Sequence, residues 1–276
     1  MAMATHVRMQ RANHGAQFRA VRLHGADPAQ LDPFIGIDHA WMSAPTFPPH
    51  PHAGFSAVTY LFLDSETGMA NRDSLGTRNL IEPGGLHWTA AGRGVVHEEV
   101  PAVTGSTTHL LQIFVNLPEA RQNAAPFALS LATQDVPVLQ LPGARVRVPL
   151  GSYGEVHSPL APPTDVTLLD ITLEADAELA IPVPAGHRAF VMPVNGGAAI
   201  DGVGFGLDDL GAVFLPISDA ATSHQLVAKD GVSKVAVFIG EPLRQPLFSN
   251  GPMAFASQQN LIAATAAYQR GDMGRL

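Results

Sequence analysis

The chain has no cysteine. Disulfides, thiolate zinc sites, cysteine-ligated iron–sulfur clusters and cysteine nucleophiles are therefore excluded. Charge is scarce as well: charged residues make up 14% of the 276, and the net charge is −8. That balance disfavours a nucleic acid partner held through its phosphates, and no basic patch carries interleaved aromatics. No run of about 18 apolar residues exists, so no membrane-spanning helix is expected. Residues 1–15 hold Arg8 and Arg11 but no apolar run, which is not the pattern of a secretory signal. A cytoplasmic monomer is the default expectation.

What is present is apolar, at 46%, and well punctuated, with 26 glycines and 23 prolines spread along the chain. Short apolar runs between turn signals suggest a β-sandwich or barrel. Candidate strands are Ser56–Leu63, Asn79–Ile81, Leu110–Asn116, Val166–Glu174, Ala189–Val194, Ala212–Pro216 and Lys234–Ile239. Turns are expected at Asp73-Ser74-Leu75-Gly76, Glu82-Pro83-Gly84-Gly85, Gly196-Gly197 and Leu207–Gly211. A connection rich in proline and amide side chains, Leu117–Phe127, separates two rounds of strands, which suggests a duplicated β-sandwich. The tail reads as a helix over Gln258–Gln269, with Ser257 as N-cap and Gly271 as its stop. Its Leu261/Ile262/Tyr268 face is expected to be buried.

Two segments carry candidate chemistry. One is Phe47-Pro48-Pro49-His50-Pro51-His52-Ala53-Gly54-Phe55. The other is Gly92-Arg93-Gly94-Val95-Val96-His97-Glu98-Glu99-Val100. Residues i and i+2 of an extended chain share a face. His50 and His52 then look the same way, as do His97 and Glu99, while Glu98 points oppositely. Pro51 disfavours the helical region at His50 and keeps the first pair extended. With twelve histidines in the chain, one His-x-His pair alone is a weak signal. Two same-face pairs on apolar strands are stronger, because inward imidazoles and carboxylates are costly unless paired or metal-bound. Three imidazoles and a carboxylate suit iron, manganese, cobalt, nickel, copper or zinc, one ion per chain. The second-half histidines, His157, His187 and His224, lack such partners and read as structural or surface residues.

These segments, together with Leu31-Asp32-Pro33-Phe34, Arg72-Asp73-Ser74-Leu75-Gly76, Trp88-Thr89-Ala90-Ala91, Gln112-Ile113-Phe114-Val115-Asn116-Leu117-Pro118 and Gly240-Glu241-Pro242-Leu243, resemble the pirin family. The resemblance runs from about Leu23 to the end. It implies an all-β bicupin: two cupin-type jelly-roll barrels and a C-terminal helix. The N-terminal domain, 1–130, would carry the metal, and the C-terminal domain, 131–276, would not. The resemblance implies iron as the usual metal, on His50, His52, His97 and Glu99.

Two roles follow from it. One is an iron-dependent dioxygenase of quercetin 2,3-dioxygenase type, acting on a flavonol or similar enol with dioxygen, Glu99 taking the hydroxyl proton and carbon monoxide being released. The other is a metal-containing protein that docks on a transcription factor or metabolic enzyme without catalysis. The sequence departs from the family at Asn71, where histidine is common, at His87, where glutamine is common, and over Asp38-His39-Ala40-Trp41. Phe47, Phe55, Trp41 and Met42 are candidates for an apolar mouth or for the core.

Overall fold

The structure is a computed structural model that describes residues 3–24 and 28–276, with Pro28 and Asp230 described through their backbone only. Met1, Ala2, Gly25, Ala26 and Asp27, of which the first two open the expected N-terminal domain, lie outside the described residues. In chain order the first half runs β1 (Thr5–Arg8), β2 (Gln10–His14), β3 (Phe18–Leu23), α1 (Pro28–Leu31), β4 (Phe34–Met42), β5 (His50–His52) and β6 (Phe55–Leu61). It continues through β7 (Met69–Asp73), β8 (Arg78–Ile81), β9 (Leu86–Ala90), β10 (Val95–Pro101), β11 (Thr108–Asn116) and β12 (Phe127–Leu131). Among the described residues, no helix is long and apolar enough to cross a membrane.

The first barrel is built from two sheets. One has seven strands in the order β12-β9-β6-β11-β4-β3-β2, and the other has four in the order β5-β10-β7-β8. Every residue of β6 is buried, as its uninterrupted apolar and hydroxyl run implies. The tight turns form where glycine permits them. Asp73 Oδ1 accepts from the Leu75 and Thr77 amides at 2.9 Å each, and Gly76 takes φ 92°.

Eight strands of the second half join β1 in a nine-stranded sheet around two long strands, Arg188–Ile200 and Thr222–Gly240. Together the halves form two cupin-type jelly-roll barrels with a C-terminal helix. The turn expected at Gly196-Gly197 is instead an irregularity inside a strand. The ladder shifts register between Pro193 and Gly197, and Gly196 accommodates the shift at φ 70°.

The compact units interleave in sequence. One contains the segment ending at Gln10, Gln134–Ala161 and Asp165–Pro242; the other contains Arg11–Thr133, Pro162–Thr164 and Leu243–Leu276. The expected division into 1–130 and 131–276 thus differs from the structure at both ends. At the start, β1 pairs antiparallel with Gly211–Leu215 of the second-half sheet. At the end, the tail returns to the first barrel through α2 (Gln258–Arg270), whose Leu261 and Ala264 pack with Ala53, Val96 and Phe255.

Ser257 caps α2 by accepting from the Asn260 amide, and Gly271 ends it at φ 83°. The expected burial face is corrected. Leu261 is covered, but Ile262 is 63% exposed and Tyr268 41% exposed. Ile262 is turned about 100° from Leu261 around the helix axis, and Tyr268 lies one turn beyond the last covered residue, Ala264.

Candidate metal centre

β5 and β10 pair antiparallel, with His50 opposite His97 and His52 opposite Val95. Strand parity therefore brings three imidazoles to one face. Their ring centres form a nearly equilateral triangle: 4.9 Å from His50 to His52, 4.7 Å from His50 to His97 and 4.8 Å from His52 to His97. One donor nitrogen from each ring lies within 4.8 Å of the others. Donors bound to one ion at about 2.1 Å lie no more than about 4.2 Å apart, so small ring adjustments would bring the three onto one cation.

Backbone carbonyls orient two of the rings. His50 Nδ1 donates to Pro48 O at 2.9 Å, and His52 Nδ1 to Pro252 O at 3.4 Å. Both rings thereby keep Nε2 as the lone-pair atom. The second bond ties the site to the tail. Gly54 makes that closure possible: it takes φ 83°, and a β-carbon there would lie 1.9 Å from Ala254 O.

His97 is the most telling of the three. It is buried, and neither ring nitrogen has a hydrogen-bond partner. A buried imidazole without partners costs roughly 1–3 kcal/mol per unmet group. A divalent cation would meet that need, so the residues present fit a metal. Burial, then His50, pushes the His52 pKa down to about 3, against the Pro252 carbonyl. Burial, then the His52, His50 and His87 rings, pushes His97 well below its usual value. The metal-free His52 and His97 rings are thus neutral near pH 7 and suited to ligation.

Glu99 lines the same cavity but stands outside the set that closes to 4.8 Å. Its Oε2 accepts from Thr59 Oγ1 at 2.6 Å. Burial pushes its pKa up to about 7, opposed by that hydrogen bond. Glu98 points the other way and accepts from Arg72 Nε at 2.7 Å.

The trio opens onto a cavity of about 250 Å³. Met42 and Phe47 line it, as do Phe18, Met69, Leu110 and Phe114. Of the other proposed mouth residues, Phe55 packs with Ala57 and Ala254, and Trp41 faces away, stacked 5.0 Å from His109 beneath Arg19. The polar lining that sequence reasoning missed is Arg22, His24, Asp38 and Gln112. Asp38 shares strand parity with Ala40 and Met42, a signal that was available once β4 was placed.

His87 and Asn71 do not line the cavity. They belong to a buried network: Asn71 Nδ2 donates to His87 Nε2 at 3.2 Å, and His87 Nδ1 donates to Ser130 Oγ at 2.9 Å. His39 pairs with His109 at 2.7 Å.

Two cupin-type barrels, one of them carrying a histidine trio, define a bicupin with a metal-capable centre. Among the described residues, no other group of three histidines or carboxylates closes comparably. Family models agree. The pirin model matches residues 5–115, and the pirin C-terminal cupin domain model matches residues 168–274. Pirin of Rattus norvegicus is 30% identical over 273 residues, covering 97% of this chain and 91% of its own. The chain belongs to the pirin family.

Solved structures share the fold. A crystal structure of quercetin 2,3-dioxygenase from Acinetobacter baumannii superposes with a TM-score of 0.87 at 24% identity, covering 99% of both chains. A bacterial pirin from Escherichia coli, in complex with nickel(II), gives a TM-score of 0.68 at 20% identity and covers 87% of this chain and 100% of that one.

Proposed function

We propose that the protein is a metal-dependent dioxygenase of quercetin 2,3-dioxygenase type, opening a flavonol or similar enol ring. The observation that carries this reading is the histidine trio lining an apolar cavity whose rim residues, Phe47 and His24, are solvent-exposed. A partner-docking role would not require an open cavity at the centre. The name of the Acinetobacter neighbour supports the same reading, and the nickel in the Escherichia pirin supports a metal at the trio.

His50, His52 and His97 would hold the ion, with Glu99 as the fourth ligand or as the base beside it. A bound divalent ion, iron first among iron, manganese, cobalt, nickel, copper and zinc, supplies a Lewis acid for the enol hydroxyl and, if redox-active, a means of engaging dioxygen. Glu99 takes the hydroxyl proton. Its pKa, raised by burial to about 7, places it where a general base works best at neutral pH. Thr59 fixes the carboxylate through its hydroxyl. Phe18, Met42, Phe47 and Leu110 bind the planar ring and exclude water.

The test is oxygen uptake and carbon monoxide release with quercetin, using protein loaded in turn with each of the six metals. Turnover with at least one metal is expected. Stoichiometric metal without turnover for any of them would contradict the enzyme reading and favour the docking role.

A further inference from the structure

The cavity wall facing the apolar lining carries a charged group that the proposed chemistry does not use. Asp38 is buried, at 7% exposed, and shares its cavity with the trio. Two donors converge on its carboxylate. His24 Nε2 lies 2.8 Å from Oδ1, and Arg22 Nε lies 3.2 Å from Oδ2. The two donors are 47% and 37% exposed at their side chains, while both line the cavity.

The arrangement is held from two sides. Arg22 and Asp38 are direct cross-strand partners on β3 and β4. The His24 ring lies against Gly36, where an added β-carbon would come within 3.0–3.1 Å of three ring atoms. Any larger residue at 36 would displace the ring. Asp38 therefore orients a guanidinium and an imidazole at the open side of an apolar cavity. Arg22 meets Asp38 as an ion pair, its Nε–H making no hydrogen bond there, so its guanidinium keeps its N–H donors for another acceptor. Those donors match a planar carboxylate in pairs.

We propose that the cavity selects an enol that also carries an anionic group, a carboxylate by preference, received by Arg22 and His24 while the enol lies at the histidine trio. This rests on reading the trio as a metal-dependent enol site. The inference adds that the rim discriminates among enols by charge. Asp38 is a positioning residue that orients the two donors, and Gly36 is the space that admits one of them.

One-ring probes confine the comparison to the cavity of about 250 Å³ and its rim. Kojic acid and comenic acid share the 5-hydroxy-4-pyranone ring. The first carries a neutral hydroxymethyl group where the second carries a carboxylate. Each is titrated calorimetrically into the full chain loaded with nickel(II), and metal content is verified after dialysis.

Comenic acid should bind about tenfold tighter than kojic acid, the scale of a charge-assisted contact. The gap should narrow in His24→Gln and close in Arg22→Met/Asp38→Asn, with kojic acid still bound. The double variant removes both charges together, so neither is left buried alone. Equal affinity of the two acids for the unmodified protein would overturn the proposal, as would an advantage that survives both variants. If neither acid binds a protein that retains its metal, the enol-site reading itself fails and takes the proposal with it. That outcome is distinct, because in the others kojic acid still binds.

Discussion

In the first barrel the inward positions of β5 and β10 are His50, His52 and His97. In the second, the strand Glu178–Val183 pairs with Thr222–Gly240, and its inward positions are Leu179, Ile181 and Val183, all buried. Opposite Ile181 stands a histidine, His224, that is buried like His97. Its situation is otherwise the reverse. His224 Nδ1 donates to Asp201 Oδ2 at 2.6 Å, and Nε2 meets Thr222 Oγ1 at 3.0 Å. Both nitrogens are satisfied by protein, whereas neither nitrogen of His97 is.

The second barrel is filled by a large apolar cluster that includes Ile181, Leu226 and Val237. The first keeps a cavity at its histidines, whereas the second half's cavity of about 440 Å³, lined by Gly151, Pro182, Val183 and His187, does not include His224. A shared fold thus tolerates two solutions for the same kind of inward position. The number of unmet imidazole nitrogens separates a residue that waits for a ligand from one that holds the fold together.

The sharpest way to break this comparison is to remove histidines from each barrel. Changing His50 and His97 together to Ala should take metal content from about one equivalent per chain to near zero. His224→Ala should leave metal unchanged and lower stability by roughly 1–2 kcal/mol, from the loss of a buried side chain and its hydrogen bonds to Asp201 and Thr222. Elemental analysis and urea unfolding read the two effects separately. Metal retained in the double variant, or two equivalents in the parent, would erase the distinction.

The next effect is on pH. His87 belongs to the first barrel's buried network, and burial pushes its pKa down to about 4, partly offset by Asp73. The unfolded chain takes up a proton near its ordinary value of 6.5, and the folded chain refuses it until about 4. Between those values the unfolded state binds more protons, so stability is full above about 6.5 and falls as pH drops toward 4. The loss approaches about 3 kcal/mol. His87→Gln keeps size and hydrogen bonding but does not titrate, so in metal-free protein it should flatten this part of the slope. A slope unchanged by the substitution would remove His87 from the account.

The tail helix carries the smallest single effect, at Ile262, beside a larger one. Leu261→Ala should cost roughly 2–3 kcal/mol, as a buried side chain lost from a packed cluster. Ile262→Ser should stay within about 0.5 kcal/mol, because its side chain meets solvent. Thermal melting of the two variants side by side distinguishes them, and equal shifts would mean that the helix is rotated from its observed position.

What could be read from the sequence followed strand parity and turn chemistry. Pro51 and the alternation through His97 and Glu99 placed the trio on one face, and Glu98 on the other, because a period of two leaves no third choice. The helix start at Ser257 and stop at Gly271 were similarly local. What could not be read depended on contacts distant in sequence. Nothing near Thr5–Arg8 signals that β1 joins a strand some 200 residues later. His24 and Asp38 lie 14 residues apart, and only the pairing of β3 with β4 brings them into one cavity. The apolar letters of Ile262 and Tyr268 carried no information about where the first barrel ends beneath the helix.

The central claim is that His97 and Glu99 face the metal-capable cavity while Glu98 faces the other way, paired with Arg72. Glu98→Gln and Glu99→Gln differ by one position and share one chemistry, so they test it together. Metal per chain and quercetin-dependent oxygen uptake are measured for both variants after iron loading. The account predicts that Glu98→Gln keeps about one equivalent of metal and near-parental uptake, and that Glu99→Gln loses uptake, metal or both. An inactive or metal-free Glu98→Gln beside an intact Glu99→Gln would contradict it.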